Sequence, residues 1–258
     1  MQNLIINADD FGISKEVNYA IMAVMDANLC KDTTLLVNFE DSVHAAELAI
    51  MCNRKNNVGI HLNLTEGFPL TSGIKNEPLF CNAKGLFHYN REKRIIKLSK
   101  SEKKAVYNEL ISQIQLCRNL GIPISHADSH SHVHEEPGLF LLIMDILKKE
   151  DIPLLRLTNN LGKTTIQNKF YRNSYNAILS YNKLAGTNYF GSASDLIDNK
   201  KMIETNSIIE IMIHPGQLRN NQIFDVYSNE NLSLLLSEII EGNNLMSYSQ
   251  LDKYKFIK

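Results

Sequence analysis

The chain has 258 residues, 44% of them hydrophobic, with 27 Lys and Arg against 28 Asp and Glu. This length is long for one domain, but α/β barrels commonly reach it as a single unit with a sizeable core. A formal net charge of -1 excludes the basic footprint typical of nucleic-acid-binding proteins and gives no attraction to anionic membranes. We therefore expect one domain over residues 1–258 and a small-molecule partner.

No segment has the pattern of a secretion signal or a membrane span. Asp9 and Asp10 stand where a signal peptide would carry its apolar region, and the longest apolar run, residues 139–144, is far below the roughly 18 residues of a membrane span. The cysteines are spaced too widely for a CxxC redox or zinc pair. These features predict reduced thiols and a cytoplasmic protein that binds neither membrane nor nucleic acid.

Short β-rich runs alternate along the chain with segments of helical period, which is typical of β-α-β units around a parallel sheet. Eight strands are predicted, of which the sixth has the weakest pattern. They cover residues 3–7, 33–38, 57–62, 123–128, 153–157, 188–190, 207–213 and 244–248. This count predicts an α/β fold of the (β/α) barrel type, TIM-like and irregular in places.

Four segments have the pattern of amphipathic helices. Ser99 and Glu102 form a capping box before the second of them, and Pro137 fits the first turn of the third. Residues 68–94 contain Pro, Gly and Asn without a clear period, so we expect a long loop or insertion there. The helices are expected around residues 17–25, 99–120, 137–149 and 231–240.

Polar side chains directly follow four of the predicted strands. They are Asp9 and Asp10 after the first, His61 at the third, Asp128 and His130 after the fourth, and His214 after the seventh. The carboxyl ends of all strands open on one face of a parallel barrel, so we expect these residues to converge in one mouth.

Asp10, His61 and His130 together offer one carboxylate and two imidazoles, a facial set that leaves metal positions open. Alone, His61 would more often be a structural histidine, and two adjacent carboxylates would more often lie in a solvated turn. On a barrel rim, however, Asp9 and Asp10 point in different directions, so one can bind a cation while the other accepts a proton. The combination favours a catalytic metal site.

The run that begins at His126 contains four histidines and Asp128, too many titratable groups for an ordinary buried strand. Strand alternation places His126, Asp128 and His130 on one side if the strand continues that far. For His126, His132 and His134, a supporting, substrate-contacting or structural role is favoured over direct ligation.

His214 follows the apolar residues 208–213 and precedes Pro215 and Gly216, which predict a sharp turn. From this segment alone, a buried capping histidine and a catalytic one are equally compatible. Opposite a metal site, an imidazole that titrates near neutrality can protonate a leaving group. The context therefore favours His214 as a catalytic residue.

Four motifs together resemble those of the YdjC-like carbohydrate deacetylases, which include the chitooligosaccharide deacetylases. The motifs lie at residues 7–12, 59–65, 128–134 and 214–216, in matching order over almost the whole chain. The resemblance implies a barrel related to the polysaccharide deacetylases and removal of N-acetyl groups from short chitin oligosaccharides such as chitobiose.

The resemblance also implies one divalent metal, usually magnesium, held by Asp10, His61 and His130, with Asp9 as the base. The ligand types themselves suit zinc, cobalt or manganese better, because magnesium prefers oxygen ligands. Three further residues, Asp128, His132 and Arg156, are expected to support the metal or bind substrate. One departure concerns the last of them, since the family often has Pro and an acidic residue after this arginine, whereas here Leu-Thr-Asn follows.

Two other functions stay open from the sequence. A metal-dependent phosphoesterase on a related barrel would use similar ligands but a larger cationic set, for which Arg156 is the one obvious candidate. A non-catalytic metal- or sugar-binding protein would not need the spare acid and base, Asp9 and His214. A homodimer is a further possibility that the sequence leaves open.

Overall fold

The computed structural model describes residues 1–219 and 222–251. The strands are β1 (Asn3–Phe11), β2 (Asp32–Leu35), β3 (Val58–Leu62), β4 (Ala127–Ser129), β5 (Tyr189–Gly191), β6 (Ile208–Ile213), β7 (Pro215–Arg219), β8 (Gln222–Asp225) and β9 (Asn244–Met246). The helices are α1 (Lys15–Asp26), α2 (Ser42–Met51), α3 (Ser72–Lys75), α4 (Lys100–Asn119), α5 (Pro137–Lys149), α6 (Ile166–Tyr181), α7 (Ala193–Asn199) and α8 (Leu232–Ile240). Among the helices in these ranges, none has the length and apolar character needed to cross a bilayer.

The main sheet is parallel, with the spatial order β4-β3-β2-β1-β6-β5 and with β9 beside the start of β1. The chain around Leu155 links its two edges. Leu155 forms single parallel bridges with Ala127 of β4 and with Ala185, and the N–H of Asn160 donates to the carbonyl of Phe190 in β5 at 3.1 Å. The predicted α/β barrel is therefore confirmed in an irregular form.

Two predicted strands are wrong in extent. At residues 153–157 the described backbone forms single bridges at Leu155 and no continuous strand, although its partner Ala127 begins a strand that continues to Ser129. The strand predicted at 123–128 shrinks to β4, because Ile124 has a φ of +52°, which interrupts the extended backbone. The other six predicted strands are present with shifted ends.

The four predicted helices are confirmed as α1, α4, α5 and α8. The capping box of α4 is formed, because the N–H of Glu102 donates to Ser99 Oγ at 3.2 Å and the N–H of Ser99 donates to the Glu102 carboxylate at 2.7 Å. Pro137 occupies the first turn of α5, where its missing N–H removes no helical bond.

Residues 68–94, predicted as a loop or insertion, are largely irregular but fold onto the barrel. The segment contains the short α3 and a single bridge between Cys81 and Phe87. Phe80, Phe87 and Tyr89 are buried in it, and such aromatic side chains contribute large apolar areas to a core. The insertion is thus packed against the rest of the molecule.

Gly59 lies in β3 at a point where a side chain has no room. A Cβ added there would lie 2.6 Å from the carbonyl oxygen of His126, which is held in place by the N–H of Ile60 at 2.9 Å. Gly59→Ala is therefore expected to lower the free energy of unfolding by about 1–3 kcal/mol, as measured by urea unfolding. Gly73→Ala is the control, because nothing lies within 4 Å of its added Cβ. Equal losses in both variants would contradict the steric explanation.

Candidate active site and metal centre

A cavity of about 390 Å³ opens at the carboxyl ends of the barrel strands. Most of the predicted site residues line it, namely Asp9, Asp10, His61, His130, His132 and His214. The other two, Asp128 and Arg156, are fully buried at 0% and 1% exposure. The structure thus brings together residues that are up to about two hundred positions apart in sequence, as expected of strand ends in a parallel barrel.

Asp10, His61 and His130 form a buried group whose candidate ligand atoms all lie within 4.8 Å of one another. Nδ1 of His130 donates to Oδ1 of Asp10 at 2.7 Å, and Nε2 of His61 lies 3.3 Å from the same oxygen. Asp10 has a φ of +69° and falls at a register shift between β1 and β2, an irregularity that redirects side chains. This donor set fits a divalent metal ion with open coordination positions.

The opposite nitrogen of His61 is held by Asp128. Nδ1 of His61 and Oδ1 of Asp128 are 2.6 Å apart, and the hydroxyl of Thr34 donates to the second carboxylate oxygen at 3.1 Å. Such a carboxylate partner fixes the orientation of a ligating imidazole and increases its basicity. Asp128 therefore supports His61, although His130 is the histidine nearer to it in the sequence.

Both candidate histidine ligands favour the protonated state in the metal-free protein. Burial disfavours the charge of His61, but the carboxylate of Asp128 and hydrogen bonds to Asp128 and Asp10 outweigh it and raise its pKa to about 10. Burial likewise opposes protonation of His130, but its bonds to Asp10 and Glu66 raise the pKa to about 9.

Metal binding is therefore expected to release about two protons per ion near neutral pH, because a ligating nitrogen must be deprotonated. The raised pKa values mean that protons compete below about pH 9, so metal affinity should increase as the pH rises toward that value. Calorimetric titration in buffers of different ionisation enthalpy measures the release. His88→Ala, an exposed histidine of the insertion, is the control and should not change it. A release near zero in the unaltered protein would contradict the assignment of both ligands.

Asp9 is held by Arg156. The two terminal nitrogens of Arg156 donate to both oxygens of Asp9 at 2.6 and 2.7 Å, and its Nε donates to Glu210 at 2.7 Å. Burial alone would raise the pKa of Asp9, but the charge and hydrogen bonds of Arg156 hold it well below the usual range. Asp9 is therefore an oriented carboxylate that stays ionised at neutral pH.

Asp9, His61 and Asp128 also lie close enough together to hold a metal. Arg156, however, already binds both carboxylates of this group, at 2.6 Å for Asp9 and 2.8 Å for Asp128. A metal cation bound there would be repelled by the positive charge of the Arg156 guanidinium. We interpret this second group as an ion-pair network, and the Asp10 group as the candidate metal centre.

His214 lies beside Asp9 in the cavity wall, with Nε2 4.0 Å from Oδ2 of Asp9. Asp225 fixes its backbone, because the N–H of His214 donates to the Asp225 carboxylate at 2.7 Å, and Nδ1 of the ring lies 3.8 Å from the same oxygen. The ring also packs edge-on against Tyr227, with centroids 4.5 Å apart. His214 is thus held beside Asp9 without belonging to the candidate metal group.

Pro215 and Gly216 do not form the predicted sharp turn. They begin β7, which pairs with β8 as an antiparallel hairpin. The absence of a side chain at Gly216 allows this close pairing, because an added Cβ would lie 1.9 Å from Cγ2 of Val226. The hairpin carries Asp225 and Tyr227 back to His214.

The remaining histidines of the run have different surroundings. His126 is buried, bonded to Asn7 at 3.1 Å and stacked on Tyr248, and burial lowers its pKa to about 3. Nδ1 of His134 bonds the hydroxyl of Ser129 at 2.5 Å. His132 lines the cavity, and burial lowers its pKa to about 3. In the described ranges, none of the three belongs to the candidate metal group.

Sequence reasoning missed several residues of the site. They are Asn7, Thr34, Glu66, Glu210, Asp225, Tyr227 and Tyr248. Glu210 alone carried a signal, because a carboxylate within the apolar strand at 208–213 needs a buried partner. The others are common residue types at positions without a motif, and only the fold brings them to the site.

A family model described as YdjC-like protein matches residues 3–246 of this chain. The carbohydrate deacetylase of Clostridium beijerinckii is 31% identical over 222 residues, which cover 83% of this chain and 82% of that protein. The chain belongs to the YdjC-like family. The carbohydrate deacetylase of Halalkalibacterium halodurans is 29% identical over 83% of this chain and 85% of its own length. The family and the enzyme class predicted from the sequence are therefore confirmed.

Solved structures share the fold of this YdjC-like chain. A protein of Enterococcus faecalis V583 named for cellobiose-phosphate cleavage superposes with a TM-score of 0.73 at 22% identity, covering 97% of this chain and 98% of its own. A mutant of a CE4-family pseudoenzyme with restored activity gives a TM-score of 0.50 at 9% identity, covering 97% of this chain and 67% of its own. These two superpositions show that the chain shares its fold with both proteins.

Proposed function

We propose that this YdjC-like protein is a metal-dependent hydrolase that removes N-acetyl groups from short acetylated amino-sugar oligosaccharides such as chitobiose. One observation carries the proposal. The metal-type group of Asp10, His61 and His130 shares its cavity with two titratable groups outside it, Asp9 and His214, which face each other at 4.0 Å. A metal-binding site needs only Asp10, His61 and His130. Hydrolysis of an amide also needs a base and an acid, which Asp9 and His214 can supply.

In this mechanism Asp9 is the base. When bound, a divalent ion supplies Lewis acidity that makes water more acidic and polarises the acetamide carbonyl, so a weakly basic carboxylate suffices. Arg156 keeps Asp9 ionised and fixes its orientation. Asp9 accepts the proton of the attacking water as the new oxygen–carbon bond forms.

His214 is the acid in the second half of the reaction. As the carbon–nitrogen bond breaks, its imidazolium donates a proton to the departing amine nitrogen. The products are acetate and the free amino sugar. Asp225 holds the backbone of His214, and the ring lies beside Asp9, with Nε2 4.0 Å from Oδ2.

The walls of the cavity suit a sugar. Its volume of about 390 Å³ lies within the range of small-molecule sites. Tyr227 offers an exposed aromatic surface and a hydroxyl beside His214, a combination suited to a ligand with both apolar and polar faces. Hydroxyl groups of the lining can bond sugar hydroxyls; they belong to Ser131, Ser192, Ser194 and Ser228.

The geometry favours this reaction over the phosphoesterase alternative. Arg156, the predicted phosphate-binding residue, is 1% exposed and is bonded to Asp9, Asp128 and Glu210. It cannot turn toward a substrate without leaving three carboxylates unpaired. Among the described lining residues of the cavity, no Lys or Arg is present to replace it.

The proposal is tested by measuring acetate release. Purified protein is stripped with a chelator and incubated with N,N′-diacetylchitobiose and Zn²⁺, Co²⁺, Mn²⁺ or Mg²⁺ in turn. We expect acetate only with added metal, and more with one of the first three, given the imidazole ligands. Absence of acetate with every metal would refute the chitobiose-type substrate, and full activity in the chelated protein would refute the metal dependence.

A further inference from the structure

The insertion is bonded to the turn that carries His130. Arg91, near the end of the insertion, donates from Nε to Glu136 at 2.9 Å, from one terminal nitrogen to Glu135 at 3.0 Å, and from the other to the carbonyl of Ser131 at 3.1 Å. A second link runs through the backbone, since the N–H of Ile95 donates to the Glu136 carboxylate at 2.8 Å. One guanidinium therefore spans both ends of the turn.

This turn has an unfavourable backbone conformation. Ser131 and His132, which directly follow His130, have φ values of +51° and +52°. These values lie in the left-handed region of backbone conformation, which residues other than Gly rarely adopt. Such residues persist only where surrounding contacts hold them. The far end of the turn is held by Tyr175, whose hydroxyl donates to the carbonyl of His134 at 2.7 Å.

We infer that Arg91 is a positioning residue for His130, acting through the carbonyl of Ser131. The inference rests on the proposed metal site, to which the turn contributes one ligand. Arg suits this role because its rigid planar guanidinium directs donors from three nitrogens at three separate acceptors. Lys has its donors on a single nitrogen and cannot reach all three positions. Removing it would free the strained Ser131 and His132 to relax, and His130 would lose its orientation toward Asp10.

The first test is metal affinity rather than turnover. The apparent dissociation constant for Zn²⁺ is measured by competition with a chromophoric chelator, for the unaltered protein, Arg91→Gln and Arg91→Lys. We expect the Gln variant to bind about 10- to 100-fold more weakly, as is typical when the support of a metal ligand is lost, and the Lys variant to fall between.

Arg118→Gln is the matched control. Arg118 also bonds a carboxylate and a backbone carbonyl, both of Glu150, but on α4 and away from the cavity. Its loss should leave zinc affinity unchanged. If the unaltered protein binds zinc, an equal effect on affinity in the two variants, or no effect in Arg91→Gln, would overturn the inference.

The second test needs no metal, so it separates this inference from the proposed function. Hydrogen exchange of peptides covering residues 130–136 is compared in the metal-free proteins. We expect faster exchange in Arg91→Gln than in Arg118→Gln at matched thermal midpoints, because the turn is released. Unchanged exchange there refutes the role of Arg91, whereas faster exchange in a protein that binds no zinc supports the role and refutes only the metal site.

Discussion

Replacing Asp9 with Asn is expected to lower kcat by about 10²- to 10⁴-fold, the usual contribution of a general base. Metal affinity should stay within a few-fold of the unaltered protein, because Asp9 lies outside the Asp10, His61 and His130 group. The fold should also persist, since Arg156 keeps Asp128 and Glu210 as partners. Acetate release and zinc competition measure the two effects on the same preparation.

Asp10→Asn is the matched comparison, because the two carboxylates are adjacent in β1. It removes the charged oxygen that faces His61 and His130, so metal affinity should fall together with activity. Asp9→Asn and Asp10→Asn thus separate the base from the ligand. Loss of metal in the Asp9 variant, with retention in the Asp10 variant, would show that the two roles are reversed.

Replacing Arg156 with Leu is expected to have the largest effect on stability. Arg156 is the shared cation of Asp9, Asp128 and Glu210, all within 2.6–2.8 Å and all buried. Removing one partner of a buried ion pair typically costs about 3–5 kcal/mol, because the remaining charge has no compensation. Urea unfolding measures the loss. Arg118→Leu, which breaks a partly exposed pair with Glu150, should cost about 0–1 kcal/mol.

The loss in Arg156→Leu should also increase with pH. Burial raises the pKa of Glu210 to about 7 even with Arg156 beside it, and removal of the guanidinium would raise it further. The folded variant then binds more protons than the unfolded chain, so its stability falls as the pH increases. We expect a larger difference from the unaltered protein at pH 8 than at pH 6. A constant difference in unfolding free energy over this pH interval would mean that the unpaired carboxylate of Glu210 does not cause the loss.

The residues at the strand ends could be predicted because one rule of parallel barrels places them together. Asp10 and His61 come shortly after apolar runs, and His130 comes just after the predicted fourth strand, so each could be assigned to a strand end. His214 follows the same logic, and only the Pro215 segment after it differs. The roles of these residues as ligands, base and acid are still proposals.

The interior of the barrel could not be predicted in the same way. Period-two alternation assumed that the strand continued from His126 to His130, but the backbone leaves the extended conformation at the 3-10 turn. His126, which lies before this turn, contacts Asn7 and Tyr248 in the interior. Asp128 forms its hydrogen bond with His61 because β3 and β4 are paired in register at these two residues. The register between strands is not visible in a single sequence.

Side chains from irregular segments were also invisible to pattern analysis. Arg91 and Tyr227 reach the site from an insertion and from a turn after β8, where no period constrains their direction. The helix α6 was missed for a related reason, since it buries only Tyr175 and Leu179 among its residues. Several of its other apolar side chains, such as Ile166, Phe170 and Tyr181, are exposed.

The position of a bound ion tests the central claim most directly. Anomalous diffraction from crystals grown with Zn²⁺ would locate it. We expect one peak at about 2.0–2.2 Å from an oxygen of Asp10 and from one nitrogen each of His61 and His130, with Asp9 and His214 outside the coordination sphere. A peak ligated by Asp9 in place of Asp10, or binding of zinc only elsewhere on the protein, would contradict it.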